Sequence, residues 1–223
     1  QITAEPENVA AWKGLAHVEY FLHNYDDALY AVSNALKYTS DEVEKCNMIA
    51  LKACLIAEQG IATGSRAQLL KAKALFAPFI EKLGRAVDHY NLGNISEALK
   101  EREAAEKHYR RSLELDPNHA QCWKNLGSLL HNLGHHEEGM NCLDQALELN
   151  PNLVEGLLTK ANVLLIFADK VSDALSLMER AFEISPDIER RWPHAHYWRA
   201  MALCRADRFE EALAIAEERL ERK

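Results

Sequence analysis

The phrase LELDPNHA at residues 113–120 recurs as LELNPNLV at residues 147–154, which places Pro117 and Pro151 34 residues apart. Pro186, in the related phrase FEISPDI, follows Pro151 after 35 residues. A fixed period of about 20–50 residues is typical of solenoids, in which similar units stack on their neighbours. The spacing therefore predicts a repeat protein with a unit of about 34 residues.

Small side chains recur inside this period at three places. When the proline is numbered position 32, the small residues are Ala16, Gly93, Gly127 and Ala200 at position 8, Ala28, Ala105, Gly139, Ala174 and Ala212 at position 20, and Ala35, Ser112, Ala146 and Ala181 at position 27. Two antiparallel helices joined by a tight turn approach closely where their side chains are small. Proline then ends the second helix, because it has no N–H to donate and disfavours helix in the residue before it. Each period thus predicts one antiparallel helix pair.

The composition is that of a folded helical protein and gives no sign of a nucleic-acid or membrane partner. The chain has 223 residues, few glycines and prolines, and a net charge of −8. A nucleic-acid-binding protein would carry a basic face, and an anionic membrane would repel this charge. No apolar run approaches the roughly 18 residues of a membrane span, and the N-terminal residues show no signal-peptide pattern.

The five cysteines indicate reduced thiols rather than a disulfide framework. Their number is odd and no pair has the C-x-x-C spacing of a zinc knuckle. Free thiols are typical of a reducing compartment, so we expect a cytoplasmic location.

The segment AQCWKNLGSLLHNLGHHEEGMNCLDQALELNP, residues 120–151, resembles a tetratricopeptide repeat (TPR). The resemblance rests on W-x-x-L-G at 123–127 and A-L-x-x-x-P at 146–151. It implies an all-α fold, a right-handed superhelix (α-solenoid) of antiparallel helix pairs, as a single array over residues 1–223. The predicted repeats span about 9–40, 43–83 with an insertion, 86–117, 120–151, 155–186 and 193–220, and residues 1–6 resemble the tail of a preceding repeat.

The second predicted repeat departs from this pattern. Its helices are expected over about 42–59 and 68–83, with GIATGSR at 60–66 as a loop, because two glycines and a serine occur there. Pro78 predicts a kink or break in the second helix.

The last predicted repeat has two further features. Pro193 suits the first turn of its first helix. Neither end of the chain shows a polar capping helix, so we expect a longer parent protein or end-to-end packing of copies.

The stretch HNLGHHEEG at 131–139 offers five candidate metal ligands or proton carriers, His131, His135, His136, Glu137 and Glu138. In the period, however, it falls on the turn between two helices, where Gly134 ends the first helix and the following acidic pair opens the second. We therefore interpret the stretch as a structural turn and predict no metal and no cofactor. No nucleotide-binding or hydrolase motif occurs either, so we predict that the chain is not an enzyme.

The TPR resemblance implies a concave groove lined by the first helix of each repeat. The residues expected to bind a peptide there are Tyr90, Asn91, Asn94, Lys124, Asn125, Ser128, His131 and Lys160. Asn91 and Asn125 share a register one repeat apart, and an asparagine amide can donate to and accept from a peptide backbone. Lys124 and Lys160 would suit an acidic side chain or a C-terminal carboxylate.

These observations predict a protein–protein interaction scaffold that binds an extended peptide or a partner helix in the groove. Asn94, Asn125 and Lys160 also match three of the five positions of the carboxylate clamp found in chaperone-binding TPR proteins. Tyr90 and Gly156 replace lysines of that clamp. Two alternatives stay open: self-association through uncapped ends, and a substrate-recruiting arm of a larger enzyme.

Overall fold

The computed structural model describes residues 7–82, 84–186, 188, 192 and 194–221. These residues form twelve α-helices and contain no strand, which confirms the predicted all-α fold. The helices are α1 Val9–Phe21, α2 Tyr25–Tyr38, α3 Glu42–Thr63, α4 Arg66–Lys82, α5 Ala86–Ala98, α6 Arg102–Leu115, α7 Ala120–Asn132, α8 His136–Leu149, α9 Val154–Phe167, α10 Val171–Ile184, α11 Ala195–Arg205 and α12 Phe209–Glu221. The predictions for residues 1–6 and for Pro193 lie outside the described residues.

The helices pack as pairs within two compact units, residues 1–117 and 118–223. The first unit contains the pairs α1–α2, α3–α4 and α5–α6, and the second contains α7–α8, α9–α10 and α11–α12. Odd-numbered helices are called first helices below, and even-numbered helices second helices. The helix-pair repeat is therefore present in both units, while the division into one array of six repeats stays a prediction.

Prolines end three of the second helices, as the period predicts. The residues before Pro117, Pro151 and Pro186 have ψ angles of 91°, 90° and 89°, well outside the helical range. Each of these preceding residues still donates its own N–H to the last turn of the helix. The proline therefore stops the helix one residue before itself, since its ring disfavours a helical predecessor.

The turn inside every helix pair passes through a residue with left-handed backbone. The six turn residues and their φ angles are His23 61°, Gly64 66°, Lys100 64°, Gly134 88°, Asp169 52° and Asp207 59°. Glycine adopts this conformation without steric cost, whereas other residues lose about 1–2 kcal/mol. Gly134 was predicted to end its helix and does so.

Paired helices approach closely at the predicted small residues. A Cβ atom added to Gly127 on α7 would lie 2.8 Å from the carbonyl oxygen of Gly139 on α8, and the reverse distance is also 2.8 Å. Neither residue has room for a methyl group, so both glycines are needed for this spacing. In the other pairs an alanine at position 20 is buried, as with Ala28 and Ala105.

Apolar side chains fill the space between successive helix pairs. In the first unit, one cluster gathers around Trp12 and Val32 and another around Phe76 and Leu92. In the second unit, a cluster extends from Leu157 through to Ala212. Burial of these layers supplies the main stabilising free energy, at about 25 cal/mol per Å² of apolar surface.

The loop predicted at residues 60–66 is wrong for most of its length. Helix α3 continues through Thr63, and only Gly64 and Ser65 separate it from α4. A Cβ at Gly60 would lie 3.1 Å from the Cβ of Gln68, so this glycine allows a close helix crossing. The glycine read as a loop signal is therefore a contact point between two longer helices.

Of the kink or break that Pro78 predicts, the break is absent, because α4 runs as one helix from Arg66 to Lys82. Pro78 removes the hydrogen bond to the carbonyl of Ala74. Both residues are exposed, so water can hydrate that carbonyl.

Replacing Gly139 by alanine should destabilise the second unit. The added methyl group must push α7 and α8 apart, at a cost of about 1–3 kcal/mol. Urea unfolding followed by circular dichroism measures the loss.

The matched control is Gly14→Ala in α1, where an added Cβ meets no atom within 4 Å. Alanine is a better helix former than glycine, so this change should stabilise by about 0.5–1 kcal/mol. Equal effects of the two substitutions would contradict the proposed helix contact.

Candidate functional site

The eight predicted groove residues lie on three first helices and are divided between the two units. In the first unit, α5 carries Tyr90, Asn91 and Asn94. In the second unit, the residues are Lys124, Asn125, Ser128 and His131 on α7 and Lys160 on α9. All except His131, which is buried, are partly exposed.

In the first unit, Tyr109 of α6 orders the polar side chains at the end of α5. Its hydroxyl lies 2.8 Å from Oδ1 of Asn94 and 2.7 Å from Oε2 of Glu97. The ring is fully buried and packs where a Cβ of Gly93 would stand, 2.4 Å from Cε1 of Tyr109. Tyr109 lies on a second helix and is not among the groove residues predicted from the repeat pattern. What distinguishes Tyr109 in the sequence is its hydroxyl, because position 24 carries Leu143 in the next repeat and a buried tyrosine usually needs a hydrogen-bond partner.

Asn91 is anchored beneath the surface of the same unit. Its Nδ2 donates to Sγ of Cys54 on α3 at 3.2 Å. Burial raises the pKa of the Cys54 thiol to about 12, with a further contribution from Glu58, so the sulfur stays protonated. The other amide atoms of Asn91 can contact a ligand while this hydrogen bond fixes the side chain.

In the second unit, Lys124 is paired with a carboxylate of the next first helix. Its Nζ lies 3.1 Å from Oε2 of Glu155, in the first turn of α9. Gln121, one turn earlier on α7, also donates to this carboxylate. The side chains of Lys124 and Glu155 are only 15% and 22% exposed, so the pair is mostly shielded from water.

The first unit shows the same kind of contact twice. Lys13 of α1 lies 2.5 Å from Glu44 of α3, and Asn47 of α3 accepts a hydrogen bond of 2.6 Å from Arg85, the residue before α5. We call each such contact a first-helix clasp: the residue at position 5 of one first helix joins the start of the next. Lys13, Asn47 and Lys124 all occupy position 5.

Lys160 is likewise paired inside the second unit, with Asp144 of α8. The lysine side chain is 23% exposed and the aspartate 42%. A ligand carboxylate at Lys124 or Lys160 would therefore have to displace or share an internal carboxylate. The sequence did not identify Glu155 or Asp144, because a partner 16 or 31 residues away is visible only once helix packing is known.

His131 lies in a cluster of three rings rather than at an open surface. Its Nδ1 is 3.0 Å from Nδ1 of His136, and the edge of its ring faces Phe167 at a centroid distance of 4.2 Å. Burial, and then the neighbouring His136, lower the pKa of His131. Its Nε2 has no hydrogen-bond partner among the described residues. The ring of His131 packs against Phe167, which is 57% exposed.

No metal-binding group emerges around these histidines. Within the described ranges, no set of three or more His, Cys, Asp or Glu side chains is arranged to hold a metal ion. Within the same ranges, no helix is both long and apolar enough to cross a membrane.

Two segments of the chain, residues 86–119 and 120–153, match the tetratricopeptide repeat family. The photosystem I assembly protein Ycf3 of Acaryochloris marina is 33% identical over 103 residues, which cover 45% of this chain and 55% of that protein. A STIP1 homolog protein of Dictyostelium discoideum is 33% identical over 95 residues, covering 43% and 16%. The chain therefore spans about half of one curated relative and a smaller part of the other.

A tetratricopeptide repeat protein from Parabacteroides merdae has a similar fold. It superimposes with a TM-score of 0.66 over 94% of this chain and 78% of its own, at 16% identity. The helix pairs and the small residues at their contacts are consistent with these matches to the tetratricopeptide repeat. Two repeats of this chain thus match the tetratricopeptide repeat family, and the fold of the described residues is similar to that of a solved tetratricopeptide repeat protein.

Proposed function

We propose that the chain is a non-catalytic scaffold that binds an extended peptide or a partner helix on the exposed faces of its first helices. The observation that carries the proposal is the surface of α7 and α9 in the second unit. Partly exposed polar side chains precede an exposed apolar end on this surface, and peptide-binding surfaces combine these two elements.

The polar part of this surface follows the helical period. One face of α7 carries Gln121, Lys124, Asn125 and Ser128, because Lys124 and Asn125 each lie three or four residues from Gln121 and from Ser128. The clasp between Lys124 and Glu155 holds one end of this face in place. Asn125 and Ser128 supply groups that can donate to and accept from a peptide backbone.

The apolar part lies at the end of α9. Ile166 and Phe167 are 51% and 57% exposed, and Phe167 rests on the rings of His131 and His136. An aromatic ring that packs on two other rings is rigid and can contact an apolar side chain of the partner. In this arrangement His131 supports the binding surface and Phe167 contacts the ligand.

In the first unit, Tyr90, Asn91 and Asn94 form a second, smaller polar surface on α5. Cys54 and Tyr109 hold the two asparagines. Preorganised polar groups bind with a smaller entropy loss than mobile ones. The cytoplasmic location is part of the same proposal, and the described cysteines are all unbridged.

Asn125→Ala should weaken peptide binding about tenfold, because one amide contact to a backbone contributes about 1–1.5 kcal/mol. The ligand is a peptide selected on the purified chain from a phage-displayed random library, and fluorescence anisotropy measures its affinity. The control is Asn141→Ala, which removes an exposed asparagine from the second helix α8. The control should leave the affinity unchanged. If Asn125→Ala also leaves it unchanged, the groove assignment is wrong.

Lys124→Glu should lower the free energy of unfolding by about 1–2 kcal/mol, because two shielded carboxylates then meet in the clasp. Adding Glu155→Lys restores opposite charges in the reversed order and should recover most of this loss. Urea unfolding of both variants measures the stability, and the selected peptide reports binding. Failure of the reversed pair to recover stability would show that the clasp does not join α7 to α9.

Self-association is a second candidate, favoured by an apolar face on α12. Phe209 and Leu213 lie four residues apart on this helix and are 60% and 59% exposed. If copies associate there, Leu213→Lys should shift the sedimentation equilibrium toward monomer. A concentration-independent monomer mass for the unsubstituted chain would exclude this candidate.

A further inference from the structure

A surface depression lies in the first unit, away from the polar faces of the first helices. It has a volume of about 430 Å³ and lies between the α3–α4 turn and the end of α5. Its lining residues include Arg66 and Lys100 and the apolar Ile61, Leu69 and Leu99. Ile61 is 47% exposed, whereas Leu69 and Leu99 are buried. The volume lies in the range of about 300–1,000 Å³ that is typical of ligand sites.

The depression lies where the two longest helices of the first unit turn. Helix α3 has 22 residues and α4 has 17, whereas α5 has 13. Gly60, Ile61 and Gly64 at the end of α3 line the depression together with Ala98, Leu99 and Lys100 at the end of α5.

The two cations at the edge differ from the lysines on the first helices. Lys124 and Lys160 are paired with carboxylates, whereas neither Arg66 nor Lys100 forms an ion pair with any residue that the structure describes. Nη1 of Arg66 donates to the carbonyl of Leu99 at 3.4 Å, which holds the guanidinium beside the apolar lining. In a chain with a net charge of −8, two unpaired cations next to one depression favour an anionic ligand.

We propose that this depression binds the C-terminal residue of a partner protein, with an apolar side chain against the exposed side chain of Ile61. The terminal carboxylate contacts Arg66 and Lys100, because guanidinium and ammonium groups form charge-assisted hydrogen bonds with carboxylates. The same chemistry exists in a fatty acid, but a long acyl chain requires a deeper apolar channel than this open depression. Inorganic phosphate would leave the apolar lining uncovered.

This site is separate from the proposed peptide-binding faces, and its test does not depend on them. The ¹⁵N-labelled chain is titrated with N-acetyl-leucine and with N-acetyl-leucinamide, which lacks only the carboxylate charge. N-acetyl-leucine should shift the backbone amide signals of Ile61 and Lys100, with a dissociation constant on the order of 1–10 mM for so small a probe. The amide should bind at least about tenfold more weakly, through loss of hydrogen bonds to charged groups.

The double variant Arg66→Gln/Lys100→Gln should weaken binding of N-acetyl-leucine by about tenfold or more. Lys71→Gln, which removes an exposed cation elsewhere on α4, should leave it unchanged. The spectra themselves show whether each variant keeps its fold.

Three results would overturn the proposal. Equal binding of N-acetyl-leucine and its amide would show that the cations do not take part. Tighter binding of octanoate than of N-acetyl-leucine would identify a fatty acid as the ligand. Absence of any shift in the Ile61 and Lys100 amides, up to the solubility limit of the probe, would show that the depression binds neither group.

Discussion

The distance between Gly127 and Gly139 limits how α7 and α8 can pack, and buried alanines such as Ala28 and Ala105 stand at the position of Gly139 in other pairs. Each glycine would place a Cβ 2.8 Å from the other's carbonyl oxygen, so the helices touch backbone to backbone. Beside this contact, the larger side chains of the same pair, such as Leu126 and Leu143, are almost completely buried. The proposed binding surfaces depend on this pairing too, because the faces of the first helices are exposed only when their other sides are buried.

The pairing also explains how polar side chains on those faces are positioned. Tyr109 passes over Gly93 to reach Asn94, and Cys54 holds Asn91 from the neighbouring first helix. The clasps join successive first helices at their starts. These contacts fix the side chains of the proposed binding surface, and such preorganisation lowers the entropy cost of the binding proposed above.

Local chemistry determines which features the sequence could predict. The proline stops, the small residues and the turn at Gly134 follow from steric rules that act within one repeat, and the structure agrees with them. Gly60 was misread because a glycine that permits a helix crossing looks the same in sequence as one in a loop. The pairing of Lys124 with Glu155 depends on how two repeats stack, which no single repeat encodes.

The clasp has a consequence for how such a chain can change its number of repeats. The two residues of each clasp belong to successive repeats, as Lys124 and Glu155 do. Position 5 carries the cation in the clasps of Lys13 and Lys124, whereas Asn47 at position 5 accepts a hydrogen bond from Arg85. A duplicated unit forms such a contact only if its position-5 residue complements the start of the next first helix. Gain or loss of whole repeats therefore favours sequences in which these two positions vary together, and exchange of a single repeat between relatives would leave a mismatched junction on each side.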